Sequence, residues 1–240
     1  MKKTRAALVV LALMTINTIL YAQFGFHKPA TTTAPTNVTT VVIPSGDLLT
    51  LVTLSTDQGM KAMDILASIF PPEKIAAFEE ASKKYHELQA KRTDGNLDAE
   101  GYQASTDASV EFAKLMNDWS LYDKDKVKVV PQADHKLALM ILVDGYAALQ
   151  IPAAVQALES QVTSLASNPM QFRKMKQVKN TAVLFGMVGK QMPKQVELYK
   201  TTRATIKQIA AAENMTLPPD PSADSMKDSA SATTAIHSLD

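Results

Sequence analysis

Apolar residues recur every three or four positions along most of the chain from Asp47 onward, which is the spacing of one face of an α-helix. The clearest stripe lies in the third predicted helix and consists of Ala108, Phe112, Leu115, Trp119 and Tyr122. Its alternating spacings of four and three are typical of a helix packed nearly antiparallel to a neighbour. The pattern therefore predicts an all-α protein.

Prolines and glycines divide this pattern into segments. Proline disfavours a helical conformation in the residue before it and is well tolerated in the first turn of a helix. The predicted helices cover residues 47 to about 70, 72–94, a third beginning at 96–98, 131 to about 151, a fifth after Pro152, then 170–190 and 194–212. We therefore expect a bundle of five to seven antiparallel helices, with an extended N-terminal arm and a disordered C-terminal tail.

The two ends of the chain differ from this helical domain, which spans residues 47–217. Residues 23–46 are rich in Thr, Pro and Ala and predict an extended linker or arm. Within it, Val38–Ile43 could form a short strand, but an extended arm lying on the helices is the preferred interpretation because no partner strand is evident. Residues 218–240 contain almost no large apolar residues and predict a disordered tail.

The first 22 residues have the order of a secretory signal peptide. Lys2, Lys3 and Arg5 precede an apolar run, and Ala22 supplies the small residue at the expected cleavage position. An uncleaved membrane anchor is the alternative, but polar residues interrupt the run, which is short for a bilayer span. The leader predicts export to the periplasm or the outside of a Gram-negative bacterium.

Composition narrows the function classes. The chain contains no cysteine, so an exported protein of 240 residues must fold here without disulfides. The formal net charge is +1, which provides no field for collecting nucleic acid. Nucleic acid is therefore not an expected partner.

The sequence carries no clear catalytic or metal-binding pattern. His86 lacks the glutamate three residues earlier that a di-iron helix bundle needs, since Lys83 stands there. His135 follows Asp134 near a predicted helix start, which suits capping better than catalysis. No Gly-x-Ser-x-Gly and no glycine-rich phosphate loop are present. We expect a protein that is not an enzyme and holds no cofactor or metal.

Two features merit a functional interpretation. Arg173, Lys176 and Lys179 share one face of the sixth predicted helix and could bind an anionic partner such as lipid head groups, although a solvated helix face is the simpler interpretation. The apolar stretch 137–158 could be a buried core hairpin, a pocket for an apolar ligand around Met140, Leu142 and Val143, or a membrane segment. We expect five methionines near this core to make it adaptable: Met140, Met170, Met175, Met187 and Met192.

Three functional hypotheses follow. The preferred one is a helical protein of the cell envelope that acts by contacts with other envelope proteins, as an adaptor, an assembly factor or a component of a secretion structure. The second is a periplasmic carrier of an apolar or lipid ligand. The third is a membrane-active protein that uses residues 137–158.

Overall fold

A computed structural model describes residues 45–92, 95–117, 119–166, 169–222 and 228–239. Six α-helices form this part of the chain: α1 Ser45–Ala67, α2 Pro72–Ala90, α3 Ala99–Met116, α4 Val130–Ala166, α5 Phe172–Ala212 and α6 Ser229–His237. Short 3₁₀ turns at Trp119–Leu121, Lys124–Val129 and Pro169–Gln171 connect some of them. The described residues contain no strand, which confirms the all-α fold.

The core is built around α1 and the inner half of an α4–α5 hairpin. α1 packs mainly against α4, while α2 and α3 pack on each other and α3 also contacts α5. The largest fully buried side chains come from several helices and include Tyr85, Tyr102, Phe70, Phe112, Phe185 and Leu137. Their burial supplies most of the driving force that holds the helices together.

The two longest helices are each continuous across a proline, where the sequence predicted two segments. Pro152 lies inside the 37 residues of α4 and Pro193 inside the 41 residues of α5. A proline inside a helix removes one hydrogen bond and costs about 3 kcal/mol. Ile151 packs within 3.1 Å of the position that a Cβ on Gly189 would occupy, so the two proline-containing stretches face each other closely. This packing offsets the lost hydrogen bonds.

The C-terminal segment contains a helix, which corrects the prediction of a disordered tail over residues 218–240. Asp228 begins α6 by accepting a hydrogen bond from the backbone N–H of Ser231. Ala232, Ile236 and Leu239 are buried, at spacings of four and three. The tail has few apolar residues, but they occupy one helical face and pack mainly against α1.

A buried lysine also holds this tail in place. Lys136 on α4 is only 4% exposed. Its ammonium donates hydrogen bonds to the backbone carbonyl of Leu239, at 2.7 Å, and to the side-chain carbonyl of Gln58, at 2.8 Å. A buried ammonium without acceptors would be strongly destabilising. The carbonyl of the tail is therefore part of the fold.

The N-terminal predictions lie outside the described residues. These are the signal peptide at 1–22, most of the arm at 23–46 and the alternative strand at Val38–Ile43. Where the description begins, Ser45 and Gly46 already belong to α1, so the helix starts slightly before the predicted Asp47.

Candidate functional site

The most prominent surface feature is the outer end of the α4–α5 hairpin. The close approach of Ile151 to Gly189 and the ion pair of Asp134 with Arg203 show that the two helices run antiparallel. The last buried residue of α4 is Leu158 and the first of α5 is Leu184. We call the described residues between them, 159–166 and 169–183, the prong.

The prong extends well beyond the packed body. α4 continues for eight residues after Leu158, and α5 begins twelve residues before Leu184. At 1.5 Å per residue, these lengths correspond to about 12 and 18 Å. None of the prong side chains that the structure describes is buried, and its inward-facing positions are only half-buried. Packing against the core therefore cannot explain its sequence.

The basic residues predicted as an anion-binding patch all lie on this prong. Arg173, Lys176 and Lys179 are exposed, and Lys174 beside them is exposed as well. None of the ion pairs seen between described residues involves these four cations. Glu159 is the only acidic residue between Asp144 and Glu197 in the sequence. The prong therefore carries an excess of positive charge.

Large apolar side chains are exposed on the same prong. Met170 is 94% exposed and Phe172 is 68% exposed, at the outer end, while Val183 nearer the body is 60% exposed. Only two other large apolar residues in the described chain are similarly exposed, Val110 and Leu121. The prediction that Met170 belongs to the methionines of the core is wrong, because residue 170 lies in the connection between the two helices.

The apolar stretch 137–158 forms much of the buried side of α4. Met140 and Val143 are fully buried, and Leu142 is half-buried. The open grooves that the structure shows, of about 250 to 460 Å³, are lined by other residues. A ligand pocket around Met140, Leu142 and Val143 stays a prediction.

One helical stretch in the described chain, residues 124–166, is long and apolar enough to cross a bilayer by length and composition alone. In the fold, 56% of its most apolar 18-residue window is buried. The core helix of a soluble protein passes the same test. Length and composition therefore do not distinguish a membrane segment from a core helix here.

A carboxyl group lies at the centre of this core. Asp144 on α4 is 3% exposed as a residue and accepts a hydrogen bond from the hydroxyl of Ser55 on α1. Burial raises the pKa of Asp144 to about 7, although the Ser55 hydrogen bond acts in the opposite direction by stabilising the carboxylate. Because Asp144 is buried, a solute cannot reach this acid directly in the folded chain.

A chain of polar side chains joins α3 to α5 beside this acid. The hydroxyl of Tyr102 donates to Gln195, which in turn donates to Thr106. Thr106 donates to Gln191, and Gln191 donates to Gln103. The side-chain amides of Gln103, Gln191 and Gln195 are buried or half-buried and need hydrogen-bond partners, so these bonds fix the register of α3 against α5. The network explains how the inner half of α5 is held while its outer half projects.

His86 lies in a polar cluster on the surface groove between α1 and α2. Its Nε2 is 2.8 Å from one oxygen of Asp64, and the hydroxyl of Ser82 donates to the other oxygen at 2.7 Å. A serine nucleophile needs an imidazole next to its hydroxyl, with the carboxylate behind the imidazole. Here the carboxylate stands between the two, so the arrangement does not activate Ser82.

His135, the other histidine in the predicted helical domain, lies on α4. The buried Nδ1 of His135 has no hydrogen-bond partner. Among the described residues, no group of three or more His, Cys, Asp or Glu side chains is placed to hold a metal ion. The prong is therefore the best candidate for a functional surface in the described chain.

Comparisons with known proteins return no relatives. No family model, no curated protein and no solved structure matches this chain. The function is therefore inferred from the residues and geometry of the chain itself.

Proposed function

We propose that this chain is an exported, non-enzymatic protein of the bacterial cell envelope that acts as an adaptor for other envelope proteins. In this proposal, the helical body holds the prong in a fixed direction, and the prong makes the contacts. The observation that carries the proposal is the prong itself, a long extension of α4 and α5 that has no buried side chain among its described residues.

The contrast between the two halves of α5 supports this function. Its inner half is fixed to the body by the ion pair of Arg203 with Asp134 and by the bonds of Gln191 and Gln195. Its outer half carries exposed cations together with the exposed apolar side chains Phe172 and Val183, and exposed apolar surface rimmed by charge is typical of a contact site. An extension fixed at one end and bare at the other is suited to reaching a partner.

The proposal includes the location that the leader predicts. A basic start, an apolar run and a small residue at position 22 form the sequence signature of export. A chain without cysteine meets no obstacle in an oxidising compartment, because it has no thiol to mispair. Edman sequencing of the protein accumulated by the cell tests this part, and Gln23 is the expected first residue.

Site-specific photo-crosslinking tests the adaptor function. A photoreactive amino acid is placed at Asn180, an exposed prong position without charge, in the chain expressed in its own host. The matched control is the same amino acid at Lys84, an exposed position on α2. Crosslinked products are separated by mass and identified by mass spectrometry.

The adaptor proposal predicts one discrete heterologous protein adduct from Asn180 and none, or a different one, from Lys84. The same adduct should be obtained from Gln161, an exposed prong position on α4. A chain that gives no protein adduct from either prong position, under conditions in which a known envelope complex crosslinks, would contradict the proposal.

A further inference from the structure

The outer end of the prong combines two kinds of exposed side chain in a definite order. Met170 and Phe172, which are 94% and 68% exposed, lie at the extreme end where the connection enters α5. Four exposed cations follow within the next two turns: Arg173, Lys174, Lys176 and Lys179. We call residues 170–179 the tip.

The rise of the helix separates the apolar side chains at the end of the prong from some of its cations by a measurable distance. Lys176 and Lys179 follow Phe172 by four and seven residues, which corresponds to about 6 and 10 Å of helix rise. Apolar side chains of surface-bound helices enter the boundary between head groups and acyl chains by about 5–10 Å, while cations remain at the level of the phosphates. The separation of Lys176 and Lys179 from Phe172 matches these two layers. Arg173 and Lys174 follow Phe172 by only about 1.5 and 3 Å of rise, and reach the phosphates by extending their long side chains away from the apolar layer.

We propose that the tip docks on an anionic lipid bilayer surface, with Met170 and Phe172 inserted between head groups and the four cations at the lipid phosphates. This inference goes beyond the proposed adaptor function, because it concerns the end of the prong and holds whether or not its flanks bind a protein. The tip then serves as an anchor that sets the body at a fixed distance from the membrane.

Charge complementarity favours lipid over a protein partner at this end. The tip contains four cations and no acid, and the nearest acid along the prong is Glu159 on α4. An anionic bilayer presents negative charge on all sides of an inserted point, so every cation of the tip finds a phosphate whatever its direction. A protein partner would need acidic groups arranged around a pit of matching shape.

The size of the tip favours the same partner. Two adjacent helices of about 10 Å diameter present an end of roughly 200 Å². A specific protein interface needs about 800 Å² from each partner. Insertion into a bilayer has no such minimum, because the apolar side chains transfer individually from water into the interface.

Vesicle binding tests this proposal. The chain is purified in the form in which the cell accumulates it and is sedimented with vesicles of phosphatidylethanolamine and phosphatidylglycerol, or of phosphatidylcholine alone. The charge variant is Lys176→Gln with Lys179→Gln. The matched control is Lys84→Gln with Lys91→Gln, which changes the net charge equally at two exposed positions of the body.

The proposal predicts binding to the phosphatidylglycerol vesicles that decreases with added salt, and little binding to phosphatidylcholine. Removing two cations from the tip should weaken the affinity by about 30-fold, whereas the control pair should retain the affinity of the parent. Phe172→Ser, which leaves the charge unchanged, should weaken it by roughly tenfold. Equal affinities of the charge variant and its control would overturn the proposal.

A second measurement reports insertion directly. Because the chain has no cysteine, Met170→Cys and Lys91→Cys can each be labelled at a single site with an environment-sensitive dye. Phosphatidylglycerol vesicles should shift the emission to shorter wavelength at position 170 and leave it unchanged at position 91. Unshifted emission at position 170 would refute docking by the tip, and the protein adducts from Asn180, outside the tip, would still decide the adaptor function separately.

Discussion

The buried carboxyl of Asp144 predicts an unusual dependence of stability on pH. Its pKa in the folded chain is about 7, because burial disfavours the charged form, whereas an aspartate in an unfolded chain has a pKa of about 3.9. Between pH 4 and pH 7 the unfolded chain has therefore lost a proton that the folded chain keeps. Through this group, stability is greatest below pH 4 and falls as pH rises to 7.

The magnitude follows from the size of the shift. Each pH unit across this interval changes the contribution of the group by about 1.4 kcal/mol, so about three units remove about 4 kcal/mol. Above pH 7 both states are ionised and the contribution becomes constant. Asp144→Asn keeps a polar group of similar shape beside Ser55 but carries no titratable proton. The variant should therefore lose this pH dependence.

Urea unfolding followed by circular dichroism at several pH values between 4.5 and 8 measures the effect. The free energy of unfolding of Asp144→Asn, relative to that of the parent, should rise by about 3 kcal/mol between pH 4.5 and pH 7 and then level off. Asp107→Asn, the same substitution at an exposed position of α3, serves as the matched control and should give a nearly constant difference. A difference for Asp144→Asn that does not change with pH would refute the reasoning.

Two further predictions concern the packing of α5. Gly59→Ala should destabilise the chain by about 1–3 kcal/mol in a urea titration, because a Cβ at residue 59 would collide with the hydroxyl oxygen of Tyr199. The control is Gly186→Ala, whose added Cβ meets no atom within 4 Å and which should be neutral or stabilising. Arg203→Met should lower the free energy of unfolding by about 3–5 kcal/mol, because the buried carboxylate of Asp134 would lose its two guanidinium hydrogen bonds of 2.8 and 2.9 Å. An unchanged urea midpoint would disprove this account of the ion pair.

Local sequence signals identified much of the helical fold. Pro72 begins α2 as expected for proline in a first turn. Asp98 begins α3 by accepting a hydrogen bond of 2.8 Å from the backbone N–H of Gly101. The stripe of Ala108, Phe112 and Leu115 is buried as its spacing indicated. Such features depend on neighbours within one or two turns, which the sequence displays directly.

Features that depend on distant packing were less accessible. Pro152 and Pro193 predicted segment boundaries, but both helices continue through these prolines and pack closely on each other at Ile151 and Gly189. Conversely, α3 ends at Met116, before the position at which its apolar stripe was expected to end. Neither the packing of one helix against another nor the point at which it stops can be read from periodicity alone.

The candidate site shows the same division. The shared face of Arg173, Lys176 and Lys179 follows from their spacing and could be predicted. The exposure of Met170 and Phe172 could not, because an apolar residue beside a helix start is as compatible with a core as with a surface. What distinguishes a core position from a surface position here is the folded structure, in which no described residue between Leu158 on α4 and Leu184 on α5 is buried.

The account depends most on the prong being the part of the protein that makes contacts. Replacing residues 159–183 with a linker of about four residues tests this, since such a linker spans the 8–10 Å between packed helices. Leu158 and Leu184, the buried residues at the boundary, remain in this variant. Its circular dichroism and thermal unfolding establish that the body is still folded.

The decisive measurement is the distribution of this shortened chain between the envelope and soluble fractions of the host cell. The account predicts that the parent chain is recovered with the envelope and that the shortened chain, although folded, is released into the soluble fraction. A folded chain without its prong that stays with the envelope as fully as the parent would contradict the central claim.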